Sequence, residues 1–242
     1  MNVLIYRLPR DMSIVKPLSS CTSCGARIRP LDNIPVVSWL LLRGRCRSCG
    51  SEISAMYPMT ELLTGFLFWY SYLHFGLDAR FALALFLIFT ALTAGFADLY
   101  SALDEEHFEC GIIPDSVIAI GLLSGFACSY FVHGSLIFPL YGALAGFCAL
   151  YIPSFLYRLI RKREGMGFGD VKLITVFGAF LGLKSVFFLV FASALMGASV
   201  GIIWQLTSGR KNMMIPFGPF ISASALIYLF FETRMDRLLY GV

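Results

Sequence analysis

Seven apolar runs follow one another in this chain, at 57–75, 79–97, 117–133, 136–159, 171–183, 185–206 and 215–231. Most reach the roughly 17 to 25 residues that a helix needs to cross a bilayer. The 171–183 run is short, and only Lys184 separates it from the next, so it reads as a tilted, partial or re-entrant helix. With 58% hydrophobic, 15% aromatic and 14% charged residues, the chain carries more apolar surface than a soluble protein can cover. The expectation is an all-α polytopic membrane protein of about six or seven transmembrane helices. Residues 1–56, rich in Pro, Gly, Ser and Arg, form a small N-terminal head, and residues 57–242 form the membrane domain. No cleavable signal peptide is visible, because the first apolar stub is interrupted by Arg7 and Arg10.

Basic residues orient these segments. With the head cytoplasmic and the loops alternating, one side collects the eight Lys and Arg of the head and then Arg158, Arg161, Lys162, Arg163, Lys172, Arg210 and Lys211. The other keeps Arg80, Lys184, Arg234 and Arg237. This positive-inside bias sets the head and the ends of two apolar runs, at Asp98 and Asp170, on the cytoplasmic side. Topology accounts for the net charge of +4, and no basic stripe suggests a nucleic acid.

The head carries two Cys-x-x-Cys pairs, Cys21/Cys24 and Cys46/Cys49, each followed by glycine (Gly25, Gly50). Glycine there lets backbone N–H groups fold back toward thiolate sulfur. Four soft thiolates at this spacing suit tetrahedral zinc in a closed structural site. Disulfides are the alternative, disfavoured in a reducing cytoplasm. The head is too small to build much of a core, so the metal is expected to supply folding energy. Cys110, Cys128 and Cys148 lie in or beside apolar segments and read as packing residues.

Asp170 ends the run Gly165-Met-Gly-Phe-Gly-Asp170, and Asp98 ends the second apolar run. Ionisable groups at the edge of a bilayer are costly, so each asks for a function. Two carboxylates that meet cannot both ionise cheaply. One then takes a proton from water while the other gives one to a carbonyl oxygen, which is the chemistry of peptide hydrolysis. Gly167 and Gly169 leave room for an extended substrate near the backbone. Taken singly, Asp170 reads as a helix N-cap and Asp98 as an interfacial end residue; together they read as a catalytic pair. A rival from another class is a transporter or assembly scaffold that uses these aspartates for ion coupling, which would place them near the bilayer midplane.

Three further features stand out. Asp104, Glu105, Glu106 and Glu109 make an acidic loop, either simply solvated or attracting a basic peptide. Glu61, one turn into the first run, reads as neutral or hydrogen-bonded near the interface. The Ile215-Pro-Phe-Gly-Pro-Phe220 run reads as a kinked start of the last helix, or as part of the cleft wall.

These motifs in combination resemble the type IV prepilin leader peptidases. The likeness runs through Asn2-Val-Leu-Ile-Tyr-Arg-Leu-Pro9, the cysteine head with Asp32-Asn-Ile-Pro-Val-Val-Ser-Trp39 and Arg43-Gly-Arg-Cys46, and Tyr57-Pro-Met-Thr-Glu-Leu-Leu-Thr-Gly65. It continues through Ile113-Pro-Asp115, Glu164-Gly-Met-Gly-Phe-Gly-Asp-Val-Lys-Leu173 and Pro216-Phe-Gly-Pro219, nearly the whole chain. The resemblance implies an inner-membrane endopeptidase that removes the short basic leader of prepilins or pseudopilins at the cytoplasmic face, with lipid as its other partner. It further implies N-methylation of the new terminus with S-adenosylmethionine, at a site the sequence does not place. Asp170 matches the family's second catalytic aspartate and Asp98 the first. The stretch from Asp98 to Pro114 is longer than the family's, which keeps Asp104 and Asp115 as rivals for the first role. The family also carries a transmembrane helix ahead of the Asn-Val-Leu-Ile-Tyr-Arg motif, of which this sequence holds only the end.

Overall fold

The computed structural model of the chain describes residues 1–16, 18–104, 107–108, 111–163, 166–208 and 215–241. Glu105, Glu106, Glu109, Cys110, Glu164, Gly165, Arg210 and Lys211, all singled out above, fall outside them. The described elements are helical: α1 (Asn2–Arg7), α2 (Val37–Leu41), α3 (Met56–Phe75), α4 (Ala79–Leu103), α5 (Asp115–His133), α6 (Ile137–Arg161), α7 (Phe168–Leu181), α8 (Leu183–Ser208) and α9 (Gly218–Tyr240). Four of them, α4, α5, α6 and α8, are both long and apolar enough to cross a membrane.

Local chemistry sets the helix boundaries. The Asp78 carboxylate accepts the Ala79 N–H at 2.7 Å and caps α4. Gly76 and Gly134, with φ of +66° and +67°, end α3 and α5 in a backbone region that glycine enters without steric cost. The long apolar stretch after Asp170 divides at Gly182 (φ +80°) rather than at Lys184, because the left-handed turn there cannot continue a helix. The last helix begins at Gly218, with Pro219 in its first turn. Its break is not at the prolines but at Phe231 (φ −119°, ψ 20°), since a proline in the first turn costs no intrahelical hydrogen bond.

At the centre stands α7. Its 14 residues span about 21 Å, short of the roughly 30 Å hydrocarbon core. Leu173, Ile174, Val176, Phe177 and Ala179 are fully buried, enclosed by α4, α5, α6, α8 and α9. The tightest of these contacts is with α6, where a Cβ on Gly142 would overlap the Gly178 carbonyl and one on Gly178 would overlap the Gly142 carbonyl. Small residues at such a crossing let two backbones touch, a recurrent device inside membranes. Outward, Leu140, Leu144 and Phe155 on α6 and Phe187, Phe191 and Leu195 on α8 remain exposed, as side chains meant for lipid do.

The N-terminus is fastened to this bundle. Ile5 of α1 is buried, and Met1 and Leu8 pack on the core. Asn2 Nδ2 donates to the Tyr57 carbonyl (3.2 Å) and to Glu61 (3.1 Å), while the Thr60 hydroxyl donates to Asn2 Oδ1 (2.5 Å). Glu61 also accepts the Val36 N–H at 2.9 Å, holding a β-branched residue at φ +60°. Glu61 thus joins α1, α3 and the head through hydrogen bonds.

Candidate functional site

Asp98 lies in the penultimate turn of α4, with only 4% of its surface exposed. Its Oδ2 accepts the Gly218 N–H at 2.8 Å, from the first residue of α9. A Cβ at Gly218 would stand 2.7 Å from that oxygen. On the other side, a Cβ at Gly111 would overlap Asp98 Oδ1. The carboxylate therefore sits between two backbones that come this close only because both residues are glycine.

The segment 111–114 passes over this carboxylate on its way into α5. One turn beyond Asp98, the buried Ser101 hydroxyl accepts the Ile112 N–H at 2.7 Å and donates to the Ala97 carbonyl at 2.7 Å. Ile113 then rests against Gly169, where an added Cβ would meet its side chain at 3.4 Å. A single short segment therefore touches both the Asp98 end of α4 and the Gly-Asp start of α7.

Asp170 is the third residue of α7, half-buried, and its N–H bonds the Gly167 carbonyl at 3.2 Å. Gly167, not Asp170, holds the N-cap position, so capping does not explain the aspartate. A Cβ on the exposed Gly167 would stand 3.4 Å from Asp170 Oδ2. Asp98 and Asp170, 72 positions apart, are thus brought to the same end of the bundle beside the same 111–114 segment. Such a pair can share one proton, leaving one member to accept and the other to donate.

The two rival acids are otherwise engaged. Asp115 opens α5 at the surface and meets Lys172 Nζ at 2.5 Å. Asp104 pairs with Arg10 and, at 2.9 Å, with His107. His107 and then Arg10 hold its carboxyl below the usual range. Arg10 in turn lies over the Tyr6 ring (4.2 Å) and the Tyr100 ring (5.1 Å). The Asp104 member of the acidic loop thereby fastens the head to α4. Ser101 and Gly111 had no role in the sequence analysis; Gly218 entered it only within the Ile215-Pro-Phe-Gly-Pro-Phe220 run, read as a kinked helix start or as part of the cleft wall.

The four cysteines converge in the head, with their sulfurs within 4.8 Å of one another and Cys21 Sγ 3.9 Å from Cys49 Sγ. Both pairs fold alike. Gly25 (φ +69°) and Gly50 (φ +72°) donate to the Cys21 and Cys46 carbonyls, each at 2.9 Å, and the antiparallel bridges Ser20–Arg27 and Arg45–Glu52 close the two loops. The Cys24 N–H, the Ser51 hydroxyl and the Ser23 N–H bring the Cys21 thiol down to about 6. The Ala26 N–H draws Cys24 down, but the Cys49 thiol beside it and burial outweigh this and push it up to about 11. A cation among the sulfurs would relieve that mutual repulsion. Arg47 donates to both oxygens of Asp32 (2.9 and 2.6 Å) and ties the second pair to the preceding loop. The cluster can hold a metal ion.

Comparison with known proteins agrees along nearly the whole length. Residues 1–75 match the bacterial peptidase A24 N-terminal domain, and residues 85–202 match the type IV leader peptidase family. A prepilin leader peptidase/N-methyltransferase of Pseudomonas aeruginosa is 32% identical over 98% of this chain and 87% of its own length. Proteins of the same description from Burkholderia pseudomallei (37% identical, 97% of this chain, 74% of theirs) and Myxococcus xanthus (38%, 88% and 61%) are also similar. No solved structure matches. With both family models matched in order, and a relative covered over most of its length, the chain belongs to the type IV leader peptidase family.

Proposed function

We propose that the chain is a membrane endopeptidase that removes the leader from prepilin-like proteins and then N-methylates the new terminus. The observation that carries the reading is that Asp98 and Asp170 lie at one end of the bundle against the same 111–114 segment, Asp98 enclosed by Gly111 and Gly218 and Asp170 beside the exposed Gly167. An ion-coupling pair would lie near the midplane instead. In the hydrolysis, one carboxylate takes a proton from water and the water oxygen adds to the scissile carbonyl carbon. The other carboxylate protonates the carbonyl oxygen; as the diol collapses, the first carboxylate passes its proton to the leaving nitrogen and the diol returns one to the second. Gly167, exposed beside Asp170, gives an extended peptide access to that carboxylate.

The pair is assigned to the cytoplasmic face of the inner membrane, where the positively charged segments gather. There the acidic residues beyond α4 attract the basic leader, and the exposed apolar faces of α6 and α8 meet lipid. The head, residues 1–56, takes zinc on Cys21, Cys24, Cys46 and Cys49. Tetrahedral zinc with bonds of about 2.3 Å asks for sulfurs about 3.8 Å apart, close to the arrangement present. S-adenosylmethionine, when bound, supplies the methyl group for the freed amine. Incubating the purified protein with a prepilin-like peptide tests the whole reading: the expected product is shorter by the leader and, with the methyl donor added, heavier by one methyl. An intact peptide with folded, metal-loaded protein would refute it.

A further inference from the structure

We propose that the Gly218 N–H makes Asp98 the base of the aspartate pair, with Gly95, Gly111 and Ser101 as the residues that position it. The inference rests on the reading of Asp98 and Asp170 as catalytic. A hydrogen bond donated to a carboxylate favours its ionised form. Gly218 donates one to Asp98 Oδ2 at 2.8 Å from the first residue of α9, whose positive end adds to the effect. Asp170 accepts no side-chain hydrogen bond from the described residues, so no donor comparable to Gly218 favours its ionised form, and we place the proton of the pair on Asp170. Among the described residues Asp170 is the titratable group facing Asp98. The start of α9 and the 111–114 segment present backbone, glycine, isoleucine and proline there.

The steps then have a direction. Asp98 takes a proton from water as its oxygen bonds to the carbonyl carbon, and Asp170 gives its proton to the carbonyl oxygen. As the C–N bond breaks, Asp98 passes its proton to the leaving nitrogen and the diol returns one to Asp170, restoring both groups.

Four residues make the hydrogen bond possible. Gly95 admits the start of α9 to α4, since a Cβ there would stand 3.0 Å from Ser222 Oγ and 3.4 Å from the Pro219 Cα. Gly218 itself admits the carboxylate oxygen, and Gly111 closes the opposite side. Ser101 fixes Gly111 through the Ile112 N–H. None of the four is placed to exchange protons with substrate, so their effects pass through Asp98.

The test replaces the amide at 218 by an ester, incorporating glycolic acid at that position in cell-free synthesis, which removes the N–H and adds no atom. We expect kcat on a prepilin-like peptide to fall about tenfold with KM little changed, and the acid limb of the kcat profile to move up by about one pH unit. Gly218→Ala, measured on folded material over the same pH series, should move the limb in the same direction. A lower kcat with an unmoved acid limb in both would overturn the proposal. Asp98→Asn separates the two levels of inference: if it still cleaves, the catalytic reading fails. If it is inactive while the limb stays put, only the assignment of the base fails.

Discussion

The cysteine cluster and the aspartate site both gather residues distant in the chain, yet they do so by opposite means. The four cysteines fall within 29 positions, on loops, with their geometry set by glycine turns and two isolated bridges. In the same stretch Val15, Leu18, Leu31 and Leu41 are more than 60% exposed, so among the described residues no apolar core encloses the cysteines. Asp98 and Gly218, 120 positions apart, meet through the packing of α4 against α9, and Asp170 rides on a helix buried on every side. A metal can organise loops because its bonds are strong and its geometry is its own. A carboxylate pair has no such means and depends on rigid, closely packed backbones.

The sharpest break between the regions is chemical. Asp98→Asn or Asp170→Asn should abolish cleavage of a prepilin-like peptide, a loss of at least about a thousandfold. Metal content per chain should stay unchanged; a fall in metal would mean that the two sites are not independent.

Packing gives the next contrast. Gly178→Val drives a side chain into the α6 backbone and should cost about 3 kcal/mol or more, read as loss of folded protein in detergent. Gly25→Ala meets nothing within 4 Å and bears only the strain of its positive φ, about 1–2 kcal/mol. Equal losses would show that the head is packed as tightly as the bundle.

Cys21→Ser or Cys49→Ser should take metal analysis from one zinc per chain toward none and expose residues 18–54 to protease. The thermal transition of the bundle should remain within a few degrees. A native Cys21–Cys24 disulfide on mass analysis would instead remove the metal from the comparison.

The junction between the regions should respond to pH. The Asp104 carboxyl is held below its usual range by His107 and Arg10, so its folded form is favoured above the ordinary carboxylate pKa of about 4. That contribution is present above this value and lost as pH falls through the folded value. Protease sensitivity at residues 11–16 should rise over that acid range, and Asp104→Asn should remove the dependence.

The smallest effect concerns the remaining acidic residues. Neutralising Glu105, Glu106 and Glu109 together should raise KM about twofold and flatten its salt dependence, since exposed charges are screened over about 8 Å. An unchanged KM across a salt series would leave that loop as ordinary solvated surface.

Much of this molecule is written locally. Apolar run length gave the helices to within a few residues at most ends, and the two Cys-x-x-Cys-Gly runs gave the thiol cluster, because both depend on short-range spacing. The misplaced boundary at Lys184 and the misplaced kink in the last helix arose where backbone angle, not residue type, decides. Asp98 and Asp170 stood out because a carboxylate beside an apolar run is rare and costly.

Composition and short-range spacing already specify a helical membrane chain, a four-thiol head and two acids at the ends of apolar runs. Long-range packing alone brings Gly218 to Asp98, lays Gly111 over it, lets Ser101 latch the segment above it, and draws Asp104 into the junction with the head. The physical reason is that glycine and serine carry no hydropathy or charge signature of their own. Their value lies in how near another backbone can come, a distance set by helices joined far along the chain.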